Sequence, residues 1–256
     1  MADLGPSPFA IGGTAYCTIP AGVTFLQVEC YGGGAGGGNG RPYVVDAWGQ
    51  AGGGGGAYAK TLSIPVTPGA TYLFTVGVGG SGGIGPLTSP TNGGNTYMVG
   101  NSAISCIAAG GKSAINYFGG VGGAIADCTG DVKYAGGNGY DGDPGASGGA
   151  GGGGCAGTSG NGGIGHDNVG GLGGAGGSSG GGYAGGGGHG GNLTTNAGLT
   201  AGLYYGGGGG GGGRSTGAIS AAGYQGLIIV TYVVNPVITN PRGFNGGVFS
   251  TAGMGF

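Results

Sequence analysis

Serine, histidine, aspartate and cysteine are the residues in this chain that can do chemistry, and their spacing limits what chemistry that is. Residues 208–215 read GGGGGGRS, which fits the phosphate-cradling loop except that Arg214 stands where that loop needs lysine. Such a loop joins a strand to a helix; no strand signal precedes this one and no helix signal follows. GxSxG occurs around Ser81, Ser147 and Ser179. A nucleophile elbow also needs a strand–turn–helix setting, and a chain one-third glycine produces the pattern by chance. His166-Asp167 and His189 have no neighbouring ligand or nucleophile to complete a metal or acid–base constellation. Asp141 and Asp143 sit in NGYDGDPG, a composition suited to turns. A calcium ion there would need backbone oxygens for the rest of its shell. No catalytic constellation, metal site or cofactor is expected, and the chain reads as a non-enzyme.

Five cysteines, Cys17, Cys30, Cys106, Cys128 and Cys155, form an odd set without CxxC. That argues against a closed disulfide framework and against zinc, and they read as small buried apolar residues. More informative is what a recognition surface would use. Loop-borne Tyr, Trp, His and Asn give rigid aromatic area and adaptable polar contacts. The candidates are Tyr43, Trp48, Tyr134, Tyr140, His166, Tyr183, His189, Tyr204 and Tyr205. Each has a plainer role open to it, packing over the end of a bundle.

The elements that must position these residues follow from composition. Glycine supplies 83 of 256 residues. A disordered chain that rich in glycine would carry high net charge and few aromatics. This one has a net charge of −2, 5% charged residues, 14 Tyr and 7 Phe, so it reads as ordered. The start, MADLGPSPFAIGG, lacks the basic and apolar regions of a secretory signal, which predicts assembly in a cytoplasm. The run LIIVTYVV is too short to span a bilayer, and the scattered Lys and Arg make no nucleic-acid patch. Neither membrane insertion nor nucleic acid is expected.

Strand signals come first along the chain. Residues 15–19 and 24–31 (TFLQVECY) flank a Pro-Ala-Gly turn and read as a hairpin with one wet face. Residues 57–66 and 71–78 flank Thr67-Pro68-Gly69-Ala70, a type II turn signal, and read as a second hairpin. Weaker strands lie at 96–99 and 102–108. Residues 226–234 (GLIIVTYVV) are apolar on both faces, as a doubly covered strand would be. Between about 109 and 223 glycine dominates, and a helix there would lose about 1 kcal/mol per glycine relative to alanine.

The glycine runs are not collagen, which needs strict glycine every third residue and much proline. They are too long and too often punctuated by Leu, Ile and Tyr to be a tether. Local phase exists: Gly154, Gly157, Gly160 and Gly163 are three apart, as are Cys155, Thr158, Asn161 and Ile164. Three residues per turn is the period of the extended polyproline II-type helix, which has no internal hydrogen bonds. Its backbone groups must find partners when buried, and glycine lets neighbouring backbones come close enough to supply them. A bundle of glycine helices bonded to one another is the expected result.

The order YCTIPAGVTFLQVECYGGGAGGG, then GGGGGAYAKTLSIPVTPGATYLFTVGVGG, then glycine runs closed by GLIIVTYVV resembles the glycine-rich domain of bacteriophage tail and virion proteins. The likeness covers about residues 14 to 234, and ordered strand motifs carry it. The central region is similar, more weakly, to the glycine-helix sandwich of adhesins at the tips of long tail fibres, whose glycine segments are longer and cleaner. The resemblance implies a non-enzymatic virion component, assembled in the host cytoplasm and released by lysis. Its implied partners are other virion proteins, tail-fibre or capsid subunits, and a host-surface glycan or outer-membrane protein. A homotrimer fits fibre-like proteins of this kind. The nine aromatic and polar candidates become host-surface contacts. Pro6, Pro8 and Phe9 in one arm, and Phe244, Phe249 and Phe256 in the other, become virion-attachment candidates, since buried aromatics dominate interface energy.

The expected fold is an all-β framework of about six to eight strands, sandwich-like, with an inserted polyglycine II-type helix bundle and essentially no α-helix. The expected layout is an N-terminal arm at 1–13, a β-framework with glycine-rich loops at 14–108, the glycine-helix bundle at 109–223, a closing strand at 224–234 and a C-terminal arm at 235–256. The expected function is a tail-fibre or receptor-binding adhesin. The alternatives are a capsid decoration or head-fibre protein anchored by its arms and, remotely, an ice-binding protein, for which regular Thr rows are missing.

Overall fold

Alternating apolar residues build nine strands among the described residues of the computed structural model, which are 12–38, 49–84, 88–100, 103–115, 117–143, 148–167, 175–191, 198, 205–213, 218–233 and 251–255. In chain order they are β1 Gly13–Thr18, β2 Phe25–Tyr31, β3 Tyr58–Pro65, β4 Thr71–Val76, β5 Thr96–Val99, β6 Ile104–Ala108, β7 Val132–Tyr134, β8 Leu227–Val233 and β9 Thr251–Gly255. The sole helical element among those residues is a 3-10 turn, Ile125–Asp127. One sheet has the order β1-β4-β5-β6 and the other β7-β3-β2-β8-β9; every pairing is antiparallel. The chain is all-β, as its composition requires. Two strands come from unexpected places: β7 interrupts the glycine-rich middle, and β9 forms from the C-terminal arm.

Both expected hairpins are corrected. β1 pairs with β4 and β2 pairs with β3, so the strands flanking each turn lie in different sheets. The turn geometry itself is as read: Ala70 N–H donates to Thr67 C=O at 3.1 Å, with Gly69 at φ +77°. Each turn is a corner between sheets. The reason is burial: Ile19, Val23, Val66 and Tyr72 flank the two corners and are all buried in the main core, where a flat hairpin would leave half of them wet. The corners also bond each other, through Ile19 N–H to Ala70 C=O, Gly69 N–H to Ile19 C=O and Val66 N–H to Thr24 C=O, all at 2.9 Å. The core between the sheets is filled by Leu26, Val28, Phe74, Met98, Ile228 and Val230, with Cys30 and Cys106.

Six strands run straight into glycine segments. Residues 32–38, 49–57 and 148–157 are buried throughout, although none is a strand. Their backbone partners rotate with a period of three. Along 32–38, Gly32, Ala35 and Gly38 donate to Ala57, Gly54 and Ala51; Gly33 and Gly36 donate to Gly94 and Thr91; Gly34 and Gly37 donate to Tyr224 and Ala221, at 2.8–3.1 Å. Residues 50–57 donate in the same rotation to segments around 206–212, 137–140 and 109–112, and accept from segments 32–38, 120–123 and 150–156. That segment therefore has six hydrogen-bonded neighbours. Residues 149–157 likewise donate to 185–191, 50–56 and 160–166 and accept from 137–140, 177–180 and 208–211. Glycine is obligatory at such contacts: a Cβ on Gly55 would sit 2.1 Å from the Gly154 oxygen.

Outer segments lack neighbours on one side, and short polar side chains stand in. Asn92 and Asn95 accept from the N–H groups of Ser113 and Gly110 at 2.8 and 2.9 Å. Three apart again, Asn138 and Asp141 accept from Gly122 and Gly119 at 2.9 and 2.7 Å, and Asn161 accepts from Ala135 at 2.9 Å. A carboxamide or carboxylate oxygen replaces the backbone carbonyl that a further segment would have offered.

Candidate functional site: the loop pole

The glycine array has two ends. At one, Gly32, Ala57, Ala109 and Gly226 adjoin β2, β3, β6 and β8. Toward the other lie Gly38, Gly83, Ala114, Gly142, Gly191 and Gly213. Ending a backbone-bonded array leaves orphan N–H and C=O groups, and buried side chains satisfy some of them. Gln50 Nε2 donates to Ala218 C=O at 3.3 Å, and Gln50 Oε1 accepts from Gly212 N–H at 3.2 Å. Ser220 Oγ accepts from the same Gly212 N–H at 2.9 Å and reaches Gly38 C=O and Gln50 Oε1. Gln50 and Ser220 are two of the three buried polar side chains in the described core, and this capping role explains both.

Over this cap the molecule presents apolar side chains to solvent. Ile115 and Phe118 form a reciprocal pair of backbone bonds at 3.1 and 3.0 Å, and Ile84 and Thr88 form another at 3.1 and 3.2 Å; Ile84 also bridges Ile219. Ile115 is 69% exposed, Phe118 53% and Ile219 50%. Tyr117 lies against Phe118 with ring centroids 4.2 Å apart, and its carbonyl accepts from Gly142 N–H at 2.7 Å. These tips are held by backbone bonds while their large side chains stay in water. Hydrophobic transfer at about 25 cal/mol per Å² gives each a driving force toward a partner.

The nine residues expected at a recognition surface divide between the two ends. Tyr140, His166 and His189 are exposed on segments toward the loop pole. Tyr134 and Tyr205 lie at the sandwich end and pack there, Tyr134 on Tyr58 at 6.3 Å and Tyr205 on Tyr224 at 6.1 Å. Tyr183 is exposed at that same end, beside the Ala184–Tyr205 bridge. Tyr43, Trp48 and Tyr204 lie outside the described residues, as do Pro6, Pro8, Phe9, Phe244, Phe249 and Phe256. Ile84, Ile115, Phe118 and Ile219 escaped the sequence reading, which sought Tyr, Trp, His and Asn. Their signal was available: in INYF, an apolar tip between small-residue runs that have no room to bury it.

At the sandwich end the chemistry is structural. Tyr58 Oη donates to Glu29 Oε2 at 2.8 Å, and Lys60 pairs with Glu29 at 3.2 Å. Tyr31 meets Tyr58 edge-on at 5.0 Å. Burial pushes both phenols well above their usual range, with the Glu29 hydrogen bond adding to the shift at Tyr58. The glycines of the phosphate-loop lookalike are part of the array: Gly208, Gly209 and Gly211 give their N–H groups to Gly153, Ala35 and Ala150, so those donors are committed. Ser81, centre of one GxSxG, takes its N–H to Thr91 Oγ1 at 2.8 Å. No strand–turn–helix surrounds it among the described residues.

Corner strands joined to an array of glycine segments drawn from both halves of the chain are the architecture of this molecule, and residues 10–233 match the model of the glycine-rich domain. The chain belongs to the glycine-rich domain family. The match takes in β1 to β8 and every glycine segment described above, and leaves β9 outside. No curated protein matches the chain. Within the glycine-rich domain, then, the family pattern spans the buried array and the sandwich together, and the exposed tips at Ile84 and Ile115–Phe118 are set on it.

Proposed function

We propose that the protein is a non-enzymatic virion surface protein, a tail-fibre or receptor-binding adhesin that meets the host through its loop pole. The observation that carries this reading is the set of exposed apolar tips, Ile84, Ile115, Phe118 and Ile219, on a support whose buried segments are bonded to as many as six neighbours. A rigid support lowers the ordering cost of binding, and large apolar side chains supply contact energy. Tyr140, His166 and His189 add polar and aromatic contacts near the same end. The partners are then other virion proteins on one side and a host-surface glycan or outer-membrane protein on the other.

The same reading takes the glycine segments to be polyglycine II-type helices. The three-residue rotation of partners supports it, because a three-fold helix aims successive N–H groups in three directions. An experimental structure with φ near about −75° and ψ near about +145° through 50–57 is expected; sheet dihedrals there would refute it.

Immunogold labelling of intact virions with an antibody against residues 175–191 tests the location. Gold at the tail tip is expected. Gold spread over the head would replace the adhesin reading with capsid decoration. Ile115→Ser with Phe118→Ser should then reduce adsorption to host cells about tenfold or more, as losing two anchor side chains does, while leaving the melting temperature unchanged. Full adsorption by that variant would remove the loop pole from the proposal.

A further inference from the structure

Three thiols sit in the sandwich core: Cys30 on β2, Cys106 on β6 and Cys128 beyond the 3-10 turn. Cys106 reaches from its own sheet to the backbone beside Cys30. Cys106 Sγ lies 3.6 Å from the Ala59 carbonyl oxygen and 3.7 Å from that of Val28. Ala59 is the cross-strand partner of Cys30, and Val28 precedes Cys30 by two residues on the same face of β2. Cys30 and Cys106 are both buried in this core. β2 and β6 belong to different sheets, yet Cα atoms of the two strands come within 8 Å. Facing sheets usually lie about 10 Å apart, and a disulfide spans about 4.4–6.8 Å between Cα atoms. The other thiols have other neighbours. Cys128 Sγ donates to Ala124 C=O at 3.3 Å and accepts from Ala109 N–H at 3.4 Å. Cys155 is buried in the separate cluster with Tyr31 and Tyr58. Cys17 is half-buried on β1 at the sheet edge.

We infer that Cys30 and Cys106 are a site of covalent modification: they join as a disulfide between the two sheets when the chain meets a disulfide oxidant such as oxidised glutathione. The steps balance. The Cys106 thiol gives its proton to water, and its sulfur attacks one sulfur of oxidised glutathione. The glutathione S–S bond breaks, and one glutathione leaves as a thiolate that takes up a proton. Cys30 then loses its proton and attacks the Cys106 sulfur, releasing the second glutathione. Two protein thiols are oxidised by two electrons, and one glutathione disulfide is reduced to two thiols. Either thiol can make the first attack, since the steps are the same with the two exchanged. Both side chains are 0% exposed. Exchange therefore runs while the sandwich is open, during folding or in local opening, and closure of the sheets then protects the bond.

The experiment unfolds the reduced full chain in urea and refolds it in dithiothreitol or in a mixture of oxidised and reduced glutathione. Remaining thiols are blocked with iodoacetamide, and peptic peptides are mapped without reduction. The expected result in glutathione is one cross-link, Cys30 to Cys106, with Cys17, Cys128 and Cys155 alkylated. The melting temperature should rise about 5–10 °C over the dithiothreitol sample, as a native disulfide gives in a domain this size. C128A should keep both the link and the rise; C106A and C30A should lose both. Alkylation of Cys30 and Cys106 in the oxidised sample, or a link through Cys17 or Cys128, overturns the inference. The wild-type map decides this even if a variant fails to fold.

Discussion

A single methyl group is the unit of discrimination in the buried glycine segments. A Cβ on Gly54 would lie 2.2 Å from the Val121 carbonyl oxygen, a backbone atom that cannot rotate away. On Gly186 the nearest atom is 3.3 Å away. Alanine lowers the entropy of the unfolded chain at both places, a gain of about 0.4–1 kcal/mol. At Gly54 the clash wins. Gly54→Ala is expected to cost about 2–4 kcal/mol, and Gly186→Ala to stay within about 0.5 kcal/mol, read from urea midpoints. Equal midpoints would mean that the array yields more than its close packing implies. At the surface of the array the decisive atom is an acceptor. Asn138→Ala leaves the buried Gly122 N–H without its partner and should cost about 1 kcal/mol. Asn138→Asp keeps the oxygen, so a loss equal to that of alanine would show that the hydrogen bond contributes nothing.

Among the elements, the strands were legible and their partners were not. TFLQVECY and TYLFTVGV alternate, so the strands could be placed, and Pro68-Gly69 set its turn type. What followed each turn depended on whether the chain stayed in one sheet. Ile19, Val23, Val66 and Tyr72 decided that by being buried together, a fact about two corners distant in sequence. The outer face of β2 and β3 makes a second prediction. Buried Tyr31 and Tyr58 hold their protons above the ordinary phenol value of about 10. In the unfolded chain the phenols ionise near that value, so above it the unfolded state binds fewer protons. Stability should be full below about pH 10 and fall as pH rises further. Urea melts between pH 8 and 11 on wild type and on the Tyr31→Phe, Tyr58→Phe double variant test this. A fall equally steep in the variant would assign it to other groups.

At the scale of the whole molecule, strands and glycine segments are one continuous object. β2, β3, β4, β5, β6 and β8 each adjoin a segment of the array, and Tyr31 and Tyr58 pack against Cys155 and Ala184 from it. The second core cluster is built from both parts. Tyrosine near-ultraviolet dichroism and glycine amide exchange are therefore expected to report one transition in denaturant. Glycine amides that exchange well before the tyrosine signal is lost would separate the two parts. The loop pole belongs to this scale as well. The sequence reading named Tyr140, His166 and His189, which lie toward that end, but also Tyr134 and Tyr205, which pack at the other. Aromatic type marks amphipathic area and says nothing of which end of a segment it falls on.

By itself the sequence determined that the chain is all-β and that its glycine runs pack in a period of three. Propensity, alternation and the missing Cβ are local properties and act wherever the residues stand. It also carried the Asn-x-x-Asn and Asn-x-x-Asp spacings of the outer segments, since a period is visible in one dimension. Tertiary structure alone decided which segments are surrounded by six others and which need a side chain as an outer partner. It decided that Gln50 and Ser220 cap one end, that Ile115 and Phe118 stand in water, and that Cys106 reaches the Val28 and Ala59 carbonyls beside Cys30. Each of these is a meeting of residues far apart along the chain, and glycine, having no side chain, records nothing in the sequence about which backbone it will touch.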